Sequence, residues 1–213
     1  MLDKSSYGSA SDPLSRMLPA DALLRWLAAV VTLLAAAYIP IADVIMRRND
    51  DLSTLALGLL DEPAHLFTAL LLLAAFGIGY FKHYAIPVAL ASLLIDLDHL
   101  PGYLGSDILT RGTPRPYTHS LTTVVAVLLL AALLRSGARR TSLAVAFGLV
   151  GHLLRDLATY SVPLFWPVTN AGFHLPYPIY LAVVAVSTFV VLVRLLNRPA
   201  ELVAGESGRR MAG

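Results

Sequence analysis

Long apolar runs joined by short polar connections decide what this chain can become. Each approaches the roughly 20 apolar residues that a helix needs to cross the hydrocarbon core of a bilayer. They fall at about residues 23–46, 64–81, 85–100, 119–134, 142–160 and 179–196. A bilayer offers the backbone no water, so each segment must satisfy its own N–H and C=O groups, and helices do this. The sequence therefore predicts an all-α fold, a polytopic transmembrane helical bundle of about six spans. The first run follows Arg16 and Arg25 and ends in small residues, so it also fits a cleaved signal, which would leave five spans. Pro63 suits the first turn of the second helix, and Lys82, His83 and Tyr84 suit the turn into the third. Polar tails over residues 1–22 and 199–213 flank a single membrane-embedded domain, residues 23–198.

Hydrophobic residues make up 57% of the chain and charged ones 14%, a balance foreign to soluble domains. The formal net charge of +2 comes from scattered Arg rather than a basic face, so nucleic acid is not an implied partner. With no Cys, a disulfide, a thiolate ligand and a Cys nucleophile are all excluded. Any metal must be held by His and carboxylate.

Lys and Arg in short loops mark the cytoplasmic face. Placing the N-terminus inside puts eleven of the 16 on that side, leaving only Arg47, Arg48, Arg111, Arg115 and Arg155 on the other. The chain is thus expected in the cell membrane as a multi-pass protein with both termini cytoplasmic.

On that drawing His65, His99, His119, His152 and His174 all fall on the non-cytoplasmic side, and only His83 lies opposite. Asp43, Asp61, Glu62, Asp96, Asp98 and Asp156 fall on or near the same outer side. Ionisable groups at membrane depth are costly and usually face one another, water or an ion. Asp96 and His99 are spaced i,i+3, His152 and Asp156 i,i+4, and Glu62 and His65 again i,i+3, so each pair shares a helix face. Imidazole with carboxylate suits zinc first and manganese second, and the donors could hold one to three ions. Arg155 could neutralise Asp156 or, with Arg115, bind a phosphate or carboxylate of a substrate. Asp98 and Glu62 are the candidates for a general base. Tyr160, Trp166, Tyr177 and Tyr180 suit an interfacial aromatic belt.

The segments "LIDLDHLPGYLG", "RPYTHS" and "GHLLRDLATYSVPLFWP" together resemble the LexA-regulated, membrane-bound metal-dependent hydrolases of the YdjM type. That family's pattern is an early His, then D-x-D-H-P, H-R-G-x-T-H-S and S-H-x-x-x-D. The resemblance implies metal ligands at His65, Asp96, His99, His119, His152 and Asp156, with Asp98, Arg115, Thr118 and Ser120 in matching positions. It extends distantly to zinc-dependent phospholipase C and P1-type nucleases. The sequence departs from the pattern at Pro114, where the family has His, at Pro116 and at Gly151. If the His at the first position is a ligand, water, a carboxylate or His174 must replace it.

The expected function is hydrolysis of a membrane lipid or lipid-linked phosphoester at the outer membrane interface by metal-activated water. Asp98, Glu62, Arg115 and Arg155 are the expected catalytic residues. The alternatives are a metal-ion transporter and a haem- or metal-binding membrane protein without hydrolase activity. The oligomeric state is left open.

Overall fold

A computed structural model describes residues 20–197. The polar tails expected at 1–22 and 199–213 lie outside them, except that residues 20–22 begin the first helix. The elements are α1 (Ala20–Arg48), α2 (Thr54–Phe76), α3 (Ile78–Leu94), a 3-10 turn (Ile95–His99), the single turn α4 (Leu100–Tyr103), α5 (Leu121–Leu133), α6 (Ser136–Thr159) and α7 (Tyr177–Leu196). Among the described residues there is no strand beyond one bridge between Val162 and Phe173. Helices α1, α2, α6 and α7, and α3 continued through the 3-10 turn and α4 to Tyr103, are long and apolar enough to cross a membrane. Their outward faces carry exposed side chains such as Leu34, Leu59, Ile86 and Phe189, as a helix in lipid should.

Three boundaries differ from the sequence reading. Helix α2 starts at Thr54, capped by the Ser53 side chain, so Pro63 lies inside it rather than at its start. Proline removes one i→i−4 bond, which frees the Leu59 carbonyl. The Tyr38 hydroxyl covers that loss by donating to Leu59 O at 3.3 Å and Leu60 O at 3.1 Å. The α2–α3 turn is the single residue Gly77, and Lys82, His83 and Tyr84 continue helically inside α3. Helix α5 is only 13 residues long, about 20 Å, and begins after His119. His119 therefore rides on the preceding loop.

Helix α6 is the centre of the bundle. Of its most apolar stretch 56% is buried, against at most 33% in the other four long helices. It supplies Ala158 to a core shared with α1, α2 and α7, Leu149 and Leu153 to a second with α5, and Ala144 to a third with α2 and α3. Two glycines allow this closeness. A Cβ on Gly148 would lie 2.5 Å from Val88 O of α3, and one on Gly151 would lie 3.0 Å from Ala69 Cα of α2. Small residues that let backbones touch are the usual packing device between helices in a bilayer.

Candidate metal centre

Four pieces of backbone bring the ionisable groups together. Helix α2 supplies His65, twelfth of its 23 residues and therefore near mid-helix, and α6 supplies His152 and Asp156 one turn apart. At the end of α3 the chain tightens into the 3-10 turn, where side chains at i and i+3 eclipse. Asp96 and His99 consequently share one edge of it, and Ile95 and Asp98 the other. The loop before α5 delivers His119. That loop is fixed by Leu121 N donating to Leu164 O at 2.9 Å and by Tyr117 stacking on Trp166 at 4.7 Å.

His119 Nε2, His152 Nε2 and Asp156 Oδ2 form a nearly equilateral triangle with edges of 3.2, 3.3 and 3.3 Å. A tetrahedron with zinc–ligand bonds of about 2.0–2.1 Å has edges of about 3.3–3.4 Å. An octahedron of magnesium bonds of the same length has edges nearer 2.8–3.0 Å. The other ring nitrogens are committed. His152 Nδ1 donates to Ser92 O at 2.7 Å, and His119 Nδ1 donates to Asp98 Oδ2 at 3.1 Å. Both Nε2 lone pairs are thereby aimed at one point, the arrangement that outer partners impose on metal-binding histidines. His119, His152 and Asp156 are fully buried. The residues present therefore fit a borderline divalent cation.

Further donors surround the triangle. Asp96 Oδ1 lies 3.1 Å from His119 Nε2 and 3.4 Å from His99 Nε2, while its Oδ2 lies 3.6 Å from His152 Nε2. Three overlapping groups result: Asp96, Asp98, His99 and His119; His65, Asp96 and His152; and His119, His152 and Asp156. His65 stacks on His152 with centroids 3.8 Å apart, and its Nε2 is 3.6 Å from Asp156 Oδ1. Glu62 Oε2, His65 Nδ1 and Asp98 Oδ1 are buried with no hydrogen-bond partner, an arrangement that calls for an unseen donor or ion. Burial opposes protonation of His119, but hydrogen bonds to Asp96 and Asp98 and the charge of Asp156 outweigh it and raise the pKa to about 9. A cleft of about 640 Å³ opens onto this cluster, lined by Asp96, His99, Glu62, Arg115 and Tyr160 with an apolar wall from Leu55 to Leu59.

The two arginines have different partners from those expected. Arg115 Nη1 donates to Asp156 Oδ1 at 3.0 Å and Oδ2 at 2.9 Å, and its guanidinium lies over the Tyr160 ring at 3.9 Å. Arg155 does not pair with Asp156. Fully buried on α6, it donates to Asp43 of α1 at 2.7 Å and to Asp61 of α2 at 2.6 Å, with its Nε 3.1 Å from Asp61. The hydroxyls of Tyr160 and Tyr177 donate to Asp61 at 3.1 Å and Asp43 at 2.6 Å. Tyr180, also fully buried, bonds Thr68 at 2.6 Å. Tyr160, Tyr177 and Tyr180 thus belong to a polar network inside the bundle rather than to an interfacial belt. Burial and the Asp61 carboxylate push the Tyr160 pKa up, so this phenol stays a donor.

The structure brings His65, Asp96, Asp98, His99, His119, His152, Asp156, Glu62 and Arg115 to one place and puts Arg155 in the neighbouring network. His83 is exposed on α3 with its Nδ1 near Gly79 O, and neither it nor the exposed His174 belongs to a donor group among the described residues. Pro114 is exposed as well, on the side of Gly172. Sequence reasoning did not reach the Ser92 carbonyl, since a backbone acceptor leaves no trace in residue identity. It also missed the pairing of Asp43 and Asp61 with Arg155, although an acidic residue inside an apolar run is itself a sign of a buried partner.

The YdjM inner membrane protein family matches residues 60–211, which includes every donor described above. No curated protein and no solved structure is detectably similar. Family and helices agree on a multi-pass membrane protein.

Proposed function

Since the chain belongs to the YdjM inner membrane protein family, we propose that it is a membrane-embedded, metal-dependent hydrolase acting on a lipid or lipid-linked phosphoester. The observation that carries this reading is the His119–His152–Asp156 triangle, whose edges of 3.2–3.3 Å suit zinc. Manganese is the second choice, and the three overlapping donor groups have room for one to three ions. Asp96 lies beside the triangle as a further ligand, with His99, Asp98 and His65 flanking it. What such an ion supplies is Lewis acidity and a water acidic enough to react near neutral pH.

This chain's own residues supply the rest. Asp98 holds the His119 ring through Nδ1, an orienting role. Glu62 Oε2, unpartnered and lining the cleft, is the better proton acceptor of the two carboxylates. Arg115 is at the cleft wall beside the donors, where its charge can meet an anionic phosphoester. Arg155 is committed to Asp43 and Asp61 and acts as a strut between helices. The Lys and Arg asymmetry supports termini in the cytoplasm and a cleft opening away from it.

His65 is near mid-helix, as a transporter's ligand would be. A transporter also needs a path onward. Beyond His65, α2, α3 and α6 instead close on Ala69, Leu73, Val88 and Ala144, an apolar seal. A haem is disfavoured because the facing Nε2 atoms of His119 and His152 leave no plane for a porphyrin.

The test is purified protein assayed on phospholipids and polyprenyl phosphates, with and without chelator, alongside elemental analysis. Chelator-sensitive hydrolysis with at least one zinc or manganese per chain is the expected result. Metal-free protein that neither takes up zinc nor hydrolyses any of these lipids would end the proposal.

A further inference from the structure

The cleft does not reach the triangle. Asp96, His99, Glu62 and Arg115 line it, whereas His119, His152 and Asp156 do not and are fully buried behind them. An ion held only by those three corners lies behind the cleft wall. Nor can that ion draw in every donor. Opposite ligands on one zinc ion stand no more than about 4.2 Å apart, twice the bond length. Among the described residues, no set of donor atoms lying within 4.8 Å of one another combines His99 with His152 or Asp156. His99 therefore belongs to a different ion.

Asp96, Asp98 and His99 make a second donor set. His99 Nε2 lies 3.4 Å from Asp96 Oδ1 and 3.9 Å from Asp98 Oδ1. The Asp98 side chain is only 9% exposed, and its Oδ2 is held by Thr118 and His119 Nδ1. That leaves Oδ1 buried on the His99 side with no hydrogen-bond partner. A buried charge is paired or coordinates a metal, and no donor from the chain meets this one. Asp96 reaches both sets, since its Oδ1 faces His99 while its Oδ2 lies 3.6 Å from His152 Nε2. Charge points the same way. Of the four carboxylates Asp96, Asp98, Asp156 and Glu62, only Asp156 is paired with an arginine among the described residues, and that is Arg115. One divalent ion leaves the negative excess uncompensated.

We propose that the centre holds two ions, one enclosed by His119, His152 and Asp156 and a second on Asp96, Asp98 and His99, with Asp96 shared between them, and that the second is the ion a substrate meets. The side chains of Asp96 and His99 are 17% and 23% exposed and line the cleft, so this set keeps positions open to an incoming ligand, as a catalytic rather than a structural site does. The proposal rests on the metal-dependent reading of the centre. It does not depend on which bond is cleaved.

Paired ions in hydrolytic sites stand about 3.5–4 Å apart, close enough for two manganese ions to couple magnetically. Full-length protein in detergent is stripped with chelator, reloaded with manganese, and studied by elemental analysis and low-temperature electron paramagnetic resonance. Two manganese per chain with a spin-coupled spectrum are the expected result. His99→Ala should bind one manganese and show the six-line spectrum of an isolated ion. His152→Ala, which opens the triangle, should also lose the coupling, while His174→Ala should keep the coupled pair. A single manganese per chain at saturation, or two without coupling, overturns the proposal even if a variant fails to fold, and so does a His99→Ala protein that retains the coupled pair. One ion with chelator-sensitive lipid hydrolysis would remove the second site and leave the hydrolase reading standing. A coupled pair in a protein that hydrolyses none of the lipids would do the reverse, and no metal uptake at all would remove both.

Discussion

The Nε2 atoms of His119 and His152 face each other across 3.2 Å, although 33 residues separate them in the chain. Both rings have already given their Nδ1 hydrogen away, one to Asp98 and one to Ser92 O. Two acceptor lone pairs in such proximity repel unless a proton or a cation lies between them. With Asp156 closing the triangle, a cation is the natural occupant.

Replacing any corner should therefore empty the site. His119→Ala, His152→Ala and Asp156→Ala are each expected to lose bound zinc or manganese, and His83→Ala to retain it, by elemental analysis of purified protein. Asp98→Asn neutralises the acceptor shared by His119 Nδ1 and Thr118 and should weaken binding by about 10–100-fold. Equal metal content across the set would exclude a centre built on these residues.

Metal uptake should expel a proton. His119 has its pKa raised to about 9 by the carboxylates around it, so without metal at pH 7 it is protonated. An imidazole ligates only when neutral, so zinc competes with that proton and zinc affinity should climb as pH rises from 6 toward 9. Calorimetry in buffers of different ionisation enthalpy measures the release directly. No dependence on buffer would mean that no proton leaves His119 when zinc binds.

Arg155 should matter for stability more than for metal. Breaking one side of a buried ion pair typically costs about 3–5 kcal/mol, because the charge left behind has no compensation. Arg155→Met strands Asp43 and Asp61, and should lower the melting temperature in detergent while leaving most bound metal in place. Full stability with lost metal would move Arg155 into the centre itself.

Orientation can be read with single cysteines, since the chain has none of its own. A Cys at the exposed Ser106 should react with an impermeant thiol reagent added outside intact cells, and one at the exposed Ser136 should not. The opposite pattern would turn the cleft toward the cytoplasm.

The apolar runs were legible because they depend on composition along a single segment. Local pairs such as His152 and Asp156 were legible for the same reason, since four residues along a helix always share a face. The Arg155 partners were not, because Asp43 and Asp61 lie 112 and 94 residues away and only packing brings them near. The start of α2 was hidden by Pro63, a residue that normally argues for a boundary. Its cost is met by Tyr38 from another helix, and no local rule could find that hydroxyl. The position of Pro114 was likewise a matter of tertiary placement. It is exposed, so Pro114→His is expected to leave metal affinity unchanged.

Gly148 and Gly151 let α6 lie against the backbones of α3 and α2, and they stand just before His152 on the same helix. Two of the three triangle corners are thus carried by the element that the apolar core holds from every side. In small zinc domains the ion creates the fold, and chelation dissolves it. Here the dependence runs one way: helix packing fixes the corners of the triangle, and the ion follows the fold. Chelator should strip the protein of its ion without melting it, and zinc returned to the empty protein should bind as fast as it can reach the cleft, with no refolding delay.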